Sequence, residues 1–219
     1  VKPGGTTLNE RFYALIRRVP VVGPIFRITN AYAFQGAAGC HSRMAPLSSW
    51  WDRILKKVLY IVLLVEVIIV CHGGDISAIP WRADETILSV FPSILGFGIG
   101  VFTLLFIMPE SFLVFMSTNR EKLTFGPEIV PVDIAYPLIV FTLALGWAAL
   151  NKFSENAFTN VTSMFLFFYG LAMTFELISF LLNSSLLIQK ISLKEYERRD
   201  RKKKVQLSKA RLKNRMNNR

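Results

Sequence analysis

The chain has 219 residues, 52% of them hydrophobic, and a formal net charge of +11; its mean hydropathy is +0.40. The apolar residues fall in long blocks, which excludes the dispersed pattern of a water-soluble core and points to a bilayer. The charge excludes a folded nucleic-acid-binding face, because it lies outside those blocks: residues 1–57 hold nine Lys/Arg against two acids, 58–188 hold four against ten, and 189–219 hold thirteen against three. That is the distribution the positive-inside rule expects.

Residues 1–46 read as an N-terminal cytoplasmic segment, part amphipathic and part irregular. The spacing predicts a short helix over 8–19, with Phe12, Leu15, Ile16 and Val19 on one face and Arg11, Arg17 and Arg18 flanking. Pro20 and Pro24 are expected to stop it, and such a helix suits the inner membrane surface. It is not a secretory signal, since no continuous apolar core and cleavage site follow its basic residues. Met44 opens a second possible start (MAPLSSWWDRILKK), so residues 1–43 as an upstream extension stays an open alternative.

Residues 47–188 read as a four-helix transmembrane domain. The first span is predicted over 54–72, anchored inside by Trp50, Trp51, Lys56 and Lys57. The loop that follows, with Asp75, Asp84 and Glu85 against Arg82, reads as external. The second span is predicted over 87–108, long enough for the hydrocarbon core. The loop with Arg120 and Lys122 reads as internal. The third span is predicted over 133–150, with Asp133 capping its first turn and Pro137 near its start. The loop 151–162 reads as external and holds the sequon at Asn160. The fourth span is predicted over 161–188 and is longer than one crossing needs. Residues 189–219 form a basic cytoplasmic helix or tail. The fold class is therefore an all-α integral membrane protein with four transmembrane helices and a basic C-terminal helix or tail. Both ends lie inside, in a bacterial inner membrane.

Two carboxylates stand within apolar stretches, Glu66 and Glu176, and a charged one in hydrocarbon costs at least ~2.5 kcal/mol. Counting from the inner ends of their helices puts both at similar depth in the inner half, facing protein or water, with no Lys or Arg inside a span to neutralise them. They read either as a proton- or cation-responsive pair or as hydrogen-bonded glue between helices. Tyr169, Glu176 and Asn183 recur every seven residues, with Ser179 between, so one face of the fourth span is polar and should look into the bundle or a subunit interface. In the second span Ser89, Ser93, Gly96, Gly100, Thr103 and Glu110 make a seam of small and polar residues, with Gly96 and Gly100 as a GxxxG that lets helices approach closely. Ala144 and Ala148 repeat the idea in the third.

In the tail, Arg198, Arg199, Arg201, Lys202, Lys203 and Lys204 are expected to meet anionic lipid or a protein partner. Tyr196 is its single aromatic, so direct nucleic-acid binding is not expected. Cys40–His41 and Cys71–His72 are expected on opposite sides, which argues against a metal site or a disulfide. No catalytic constellation is present, so neither an enzyme nor a cofactor is expected.

The seam in FPSILGFGIGVFTLLF, the acidic helix end after it and two further spans with a polar tail resemble small four-span bacterial membrane proteins, in particular the membrane subunits of Kiwa antiphage defence systems. The resemblance covers about residues 44–190 and leaves 1–43 outside. It implies a homo-oligomeric membrane sensor or anchor, coupled to a cytosolic DNA-binding partner that faces the tail and the Arg120–Lys122 loop. Two other readings stay open: a channel or proton-coupled transporter component using Glu66 and Glu176, and a structural membrane scaffold.

Overall fold

The computed structural model describes residues 8–76, 79–104, 129–154 and 156–217. The fold is 84% helical, with no strand among the described residues. Among the described residues three helices are long and apolar enough to cross a membrane: Ala83–Thr103, Ile129–Asn151 and Ala157–Leu186, of 21, 23 and 30 residues. At 1.5 Å per residue they measure about 31, 34 and 45 Å, against a hydrocarbon core of about 30 Å.

The chain opens with α1 (Leu8–Arg17) and α2 (Val22–Ala33), which lie against each other. Pro20 and Pro24 were expected to end the helical character here, and only Pro20 does. Pro24 is the third residue of α2, in the first turn, where the missing N–H is not needed. The link is tight: a Cβ on Gly23 would stand 2.4 Å from the Arg17 carbonyl oxygen. The segment after α2 is stapled by the fully buried Asn30. Its amide donates to the Cys40 and Arg43 carbonyls at 3.1 and 3.0 Å, and its Oδ1 accepts from the Ala45 N–H at 2.8 Å. Tyr13 adds a bond to the Cys40 carbonyl at 2.9 Å.

Residues 47–71 form one uninterrupted helical run: α3 (Leu47–Trp50), a π-helical turn (Trp51–Leu55) and α4 (Lys56–Cys71). A π turn holds an extra residue and re-aims the side chains around it, here Arg53 and the buried Ile54. Then come α5 (Ala83–Leu104), α6 (Ile129–Asn151) and α7 (Ala157–Asn217). The third helix begins at Ile129, so Asp133 lies within it rather than capping it, and Pro137 is interior. Pro137 removes the N–H that would bond the Asp133 carbonyl, as Pro92 does for Leu88 in α5.

Helices α5, α6 and α7 pack on one another, while α4 leans on α7 and α2 lies against α6. Between apolar helices in lipid the hydrophobic effect gives no drive, so close packing must supply the cohesion. Phe91 of α5 is the pivot. It meets Phe141 of α6 edge-on at 5.4 Å and stacks on Phe167 of α7 at 6.0 Å. A Cβ on Gly170 would come within 2.5 Å of its ring. Ala144 and Ala148 are fully buried in α6 beside it.

One end of the bundle is closed by ion pairs. Asp84, at the start of α5, is buried between Arg82 and Lys152 at 3.1 and 3.3 Å. Lys152 also reaches Glu85 at 3.0 Å. Hydrogen bonding to Glu85 and Asp84 holds the lysine ammonium above its ordinary range. Nearby, the buried Asn151 amide donates to Asn160 Oδ1 at 3.1 Å and to Ser163 Oγ at 3.3 Å.

Candidate functional site

The other end carries a denser polar cluster, built from five elements. Arg53 of the π turn pairs with Asp133 of α6, and Lys57 of α4 pairs with Glu176 of α7. Tyr32 of α2 sits between the pairs. Its hydroxyl accepts from Lys57 Nζ at 2.7 Å and donates to Glu176 Oε2 at 2.7 Å. The Arg53 guanidinium lies 4.4 Å from the centroid of the Tyr32 ring, within cation–π range. The other face of that ring stacks on Tyr136 of α6 at 4.0 Å and 11°. The Tyr136 hydroxyl shares a 2.7 Å hydrogen bond with that of Tyr169 on α7. Burial, then the adjacent Glu176 carboxylate, push the Tyr32 phenol well above its ordinary 10.0, so it remains a donor at any physiological pH.

The physical logic is charge balance. Two cations and two carboxylates stand half-buried, and each is matched, because an unmatched charge there costs several kcal/mol. Beside them opens a cavity of about 310 Å³, walled by Tyr32, Gln35, Arg53, Asp133, Glu176 and Asn183 among others. Gln35 reaches it from a left-handed backbone (φ 54°), which for a non-glycine residue is a strained conformation.

The structure brings together part of the set expected from sequence. Glu176, Ser179 and Asn183 line one cavity, with Tyr169 on the same helix face two turns deeper. Glu66 does not join them. It is exposed on α4, nine residues (about 13 Å) beyond the Lys57 that contacts Glu176. The expectation of equal depth, and of a pair with no cation to neutralise it, is therefore corrected. Lys57 was counted as an interface anchor, yet it reaches inward to Glu176.

The glycine seam also differs from expectation. Gly96 and Gly100 have nothing within 4 Å of an added Cβ, and Ser93 is exposed beside them. The glycine of α5 that faces the bundle is Gly98, whose added Cβ would meet Leu138 at 2.4 Å. The Gly96/Gly100 face thus makes no close contact among the described residues. Glu110 and the Arg120–Lys122 loop lie outside the described residues. In the tail Arg199, Arg201 and Lys204 are exposed on α7, Lys204 pairing with Asp200 at 2.8 Å; the side chains of Arg198, Lys202 and Lys203 lie outside the described set.

Sequence reasoning missed Tyr32, Tyr136, Arg53, Lys57 and Asp133 as site residues. One signal was available: two cations and two carboxylates near the same ends of three predicted spans. Nothing in the sequence flagged Tyr32.

Fold and site together define an all-helical protein with three helices capable of crossing a membrane and a charge-balanced, aromatic-clasped cluster at one end of the bundle. No protein-family model, curated protein or solved structure matches the chain.

Proposed function

We propose that this chain is a four-span, homo-oligomeric inner-membrane protein with both ends in the cytoplasm, and that it couples a membrane event to a cytosolic partner through α7. The carrying observation is the continuity of α7. Glu176 in the cluster and Arg201 in the basic stretch stand on one helix of 61 residues. They are 25 positions apart, about 37 Å of rigid rod. A shift of α7 that breaks Lys57–Glu176 therefore carries the basic end with it, and paired charges give such an element two discrete arrangements. The helical run 47–71 supports a fourth crossing, with Lys56 and Lys57 at its inner end. The resemblance to Kiwa membrane subunits supplies the setting in which to seek the event, phage infection, and the exposed basic residues of α7 supply the surface for the partner or for anionic lipid.

The conduction reading draws no support from the cavity at the cluster, which Glu176 lines and Glu66 does not. The test of the coupling reading is a distance measurement. Spin labels at position 196, exposed on α7, are compared between subunits of the parent and of Glu176→Gln. A changed distance distribution is expected. An unchanged one, or a monomeric protein, overturns the reading.

A further inference from the structure

The cavity beside the cluster has no role in the coupling itself, and its chemistry is specific. Its volume of about 310 Å³ is roughly ten times the ~30 Å³ share of one water, far more than a bare ion fills. Among the described residues no group of three or more His, Cys, Asp or Glu is placed to hold a metal. The cavity therefore has the size for a small organic group rather than a bare ion.

Charge narrows it. Arg53, Asp133 and Glu176 face the cavity, and Lys57 stands behind Glu176, so the set is two positive and two negative. A ligand of net charge would leave one charge uncompensated in a half-buried site, and a zwitterion would not. The carboxylates each have lone pairs for more donors than their present partners use, and the guanidinium has five N–H groups. Ser179, Asn183 and Ser184 add neutral hydrogen-bonding groups to the same wall. Two walls, Ile129 and Phe180, are apolar, so the site also offers contact to an apolar extension of its ligand.

We propose that this cavity binds a phosphoethanolamine group, the ammonium donating to Glu176 and Asp133 and the phosphate accepting from Arg53 and the α7 hydroxyls. A primary ammonium carries the N–H donors these carboxylates want, and a quaternary choline carries none. The group can come from a membrane lipid or from a soluble phosphodiester of ethanolamine, each a neutral zwitterion. The inference deepens the coupling reading and rests on it for its consequence, since the ligand would bridge Arg53 of the 47–71 run to Glu176 of α7 and bias their arrangement.

The test uses the full chain purified in detergent. Thermal unfolding is followed with added phosphatidylethanolamine, phosphatidylcholine or phosphatidylglycerol of matched chains, and separately with soluble glycerophosphoethanolamine. Phosphatidylethanolamine is expected to raise the Tm by about 5 °C near saturation, with the other two lipids giving under half of that. The shift should vanish in Ser184→Leu, which fills the cavity, or in Asn183→Leu from the exposed side of the same wall should the first fail to fold. A shift from lipid alone assigns the membrane source, and an equal shift from the soluble compound assigns the free one. Equal shifts from all three lipids, no shift from any, or a shift that survives both substitutions overturns the proposal. Failure of the coupling reading is distinguishable, because it leaves this binding intact while the label distances at position 196 do not respond.

Discussion

Lys57 and Glu176, on helices that run in opposite directions, form an ion pair whose open side is closed by the Tyr32 hydroxyl, accepting from one and donating to the other. The pair is half-buried, with side chains 24% and 38% exposed. Removing one partner of a fully buried pair costs ~3–5 kcal/mol, and solvent screening at this exposure brings that to ~1–2 kcal/mol. Lys57→Met should lower the melting temperature accordingly, and Tyr32→Phe should cost about 1 kcal/mol for the lost hydrogen bonds. The swap Lys57→Glu with Glu176→Lys should recover at least half of the single-variant loss. A Lys57→Met protein that melts with the parent would sink the claim.

The glycines divide by what stands opposite them. Gly170→Ala presses a methyl into the buried Phe91 ring, and overpacking of that kind costs ~1–3 kcal/mol. Gly96→Ala and Gly100→Ala meet nothing among the described residues, so helix propensity should make each neutral or stabilising by up to ~1 kcal/mol. Leucine at both positions should leave the monomer's melting unchanged and act, where it acts, on assembly. Detergent unfolding and size-exclusion chromatography separate the two effects.

The two cysteines should label at different rates. Cys71 is exposed and Cys40 buried. Burial pushes the Cys40 thiol above its ordinary 9.0. Since the thiolate is the reactive form, maleimide should take Cys71 first at neutral pH, with Cys40 reacting only on unfolding. The sign for stability follows: below pH 9 both folded and unfolded thiols are protonated and the contribution is intact. Above 9 the unfolded thiol ionises first, so stability falls until the folded value is passed. Equal labelling rates in the native protein would contradict the buried placement.

Sidedness is checked by cysteines introduced into a cysteine-free chain in intact cells. Positions 84 and 156 lie at the Asp84–Lys152 end and position 201 on the basic stretch of α7. Membrane-impermeant reagent should reach position 156 rapidly, position 84 weakly because it is buried, and position 201 only after lysis. The reverse pattern removes the basis for an inner-facing cluster.

What could be read from the sequence was what hydropathy and charge encode locally. The apolar blocks located the starts of α5, α6 and α7 to within four residues, because twenty apolar residues in a row have few alternatives, whereas α7 runs on to Asn217, well past the predicted end of its span. The polar stripe from Glu176 to Asn183 was legible because helical spacing is arithmetic. What was not legible depends on how helices dock. The docking of α4 on α7 decides whether Lys57 stops at the interface or reaches Glu176. The phase of α5 decides whether Gly98 or Gly96 faces inward, and neighbouring residues differ there by 100°. Tyr32 lay on a segment whose prolines looked like stops, and a proline in the first turn of a helix starts one as readily as it ends another.

The bond from Tyr32 to Glu176 joins positions 144 apart in the chain. During synthesis α2 emerges early, yet its ring has nothing to stack on until α6 is made and no carboxylate to meet until α7 is in place. Contacts of such high sequence separation close last and pay their loop entropy late. Arg53 gains its counter-charge with Asp133 on α6, while Lys57 waits for Glu176 on α7. The cluster is therefore a completion mark: a chain interrupted between Asp133 and Glu176 has one of its two ion pairs and leaves the Lys57 ammonium without a carboxylate.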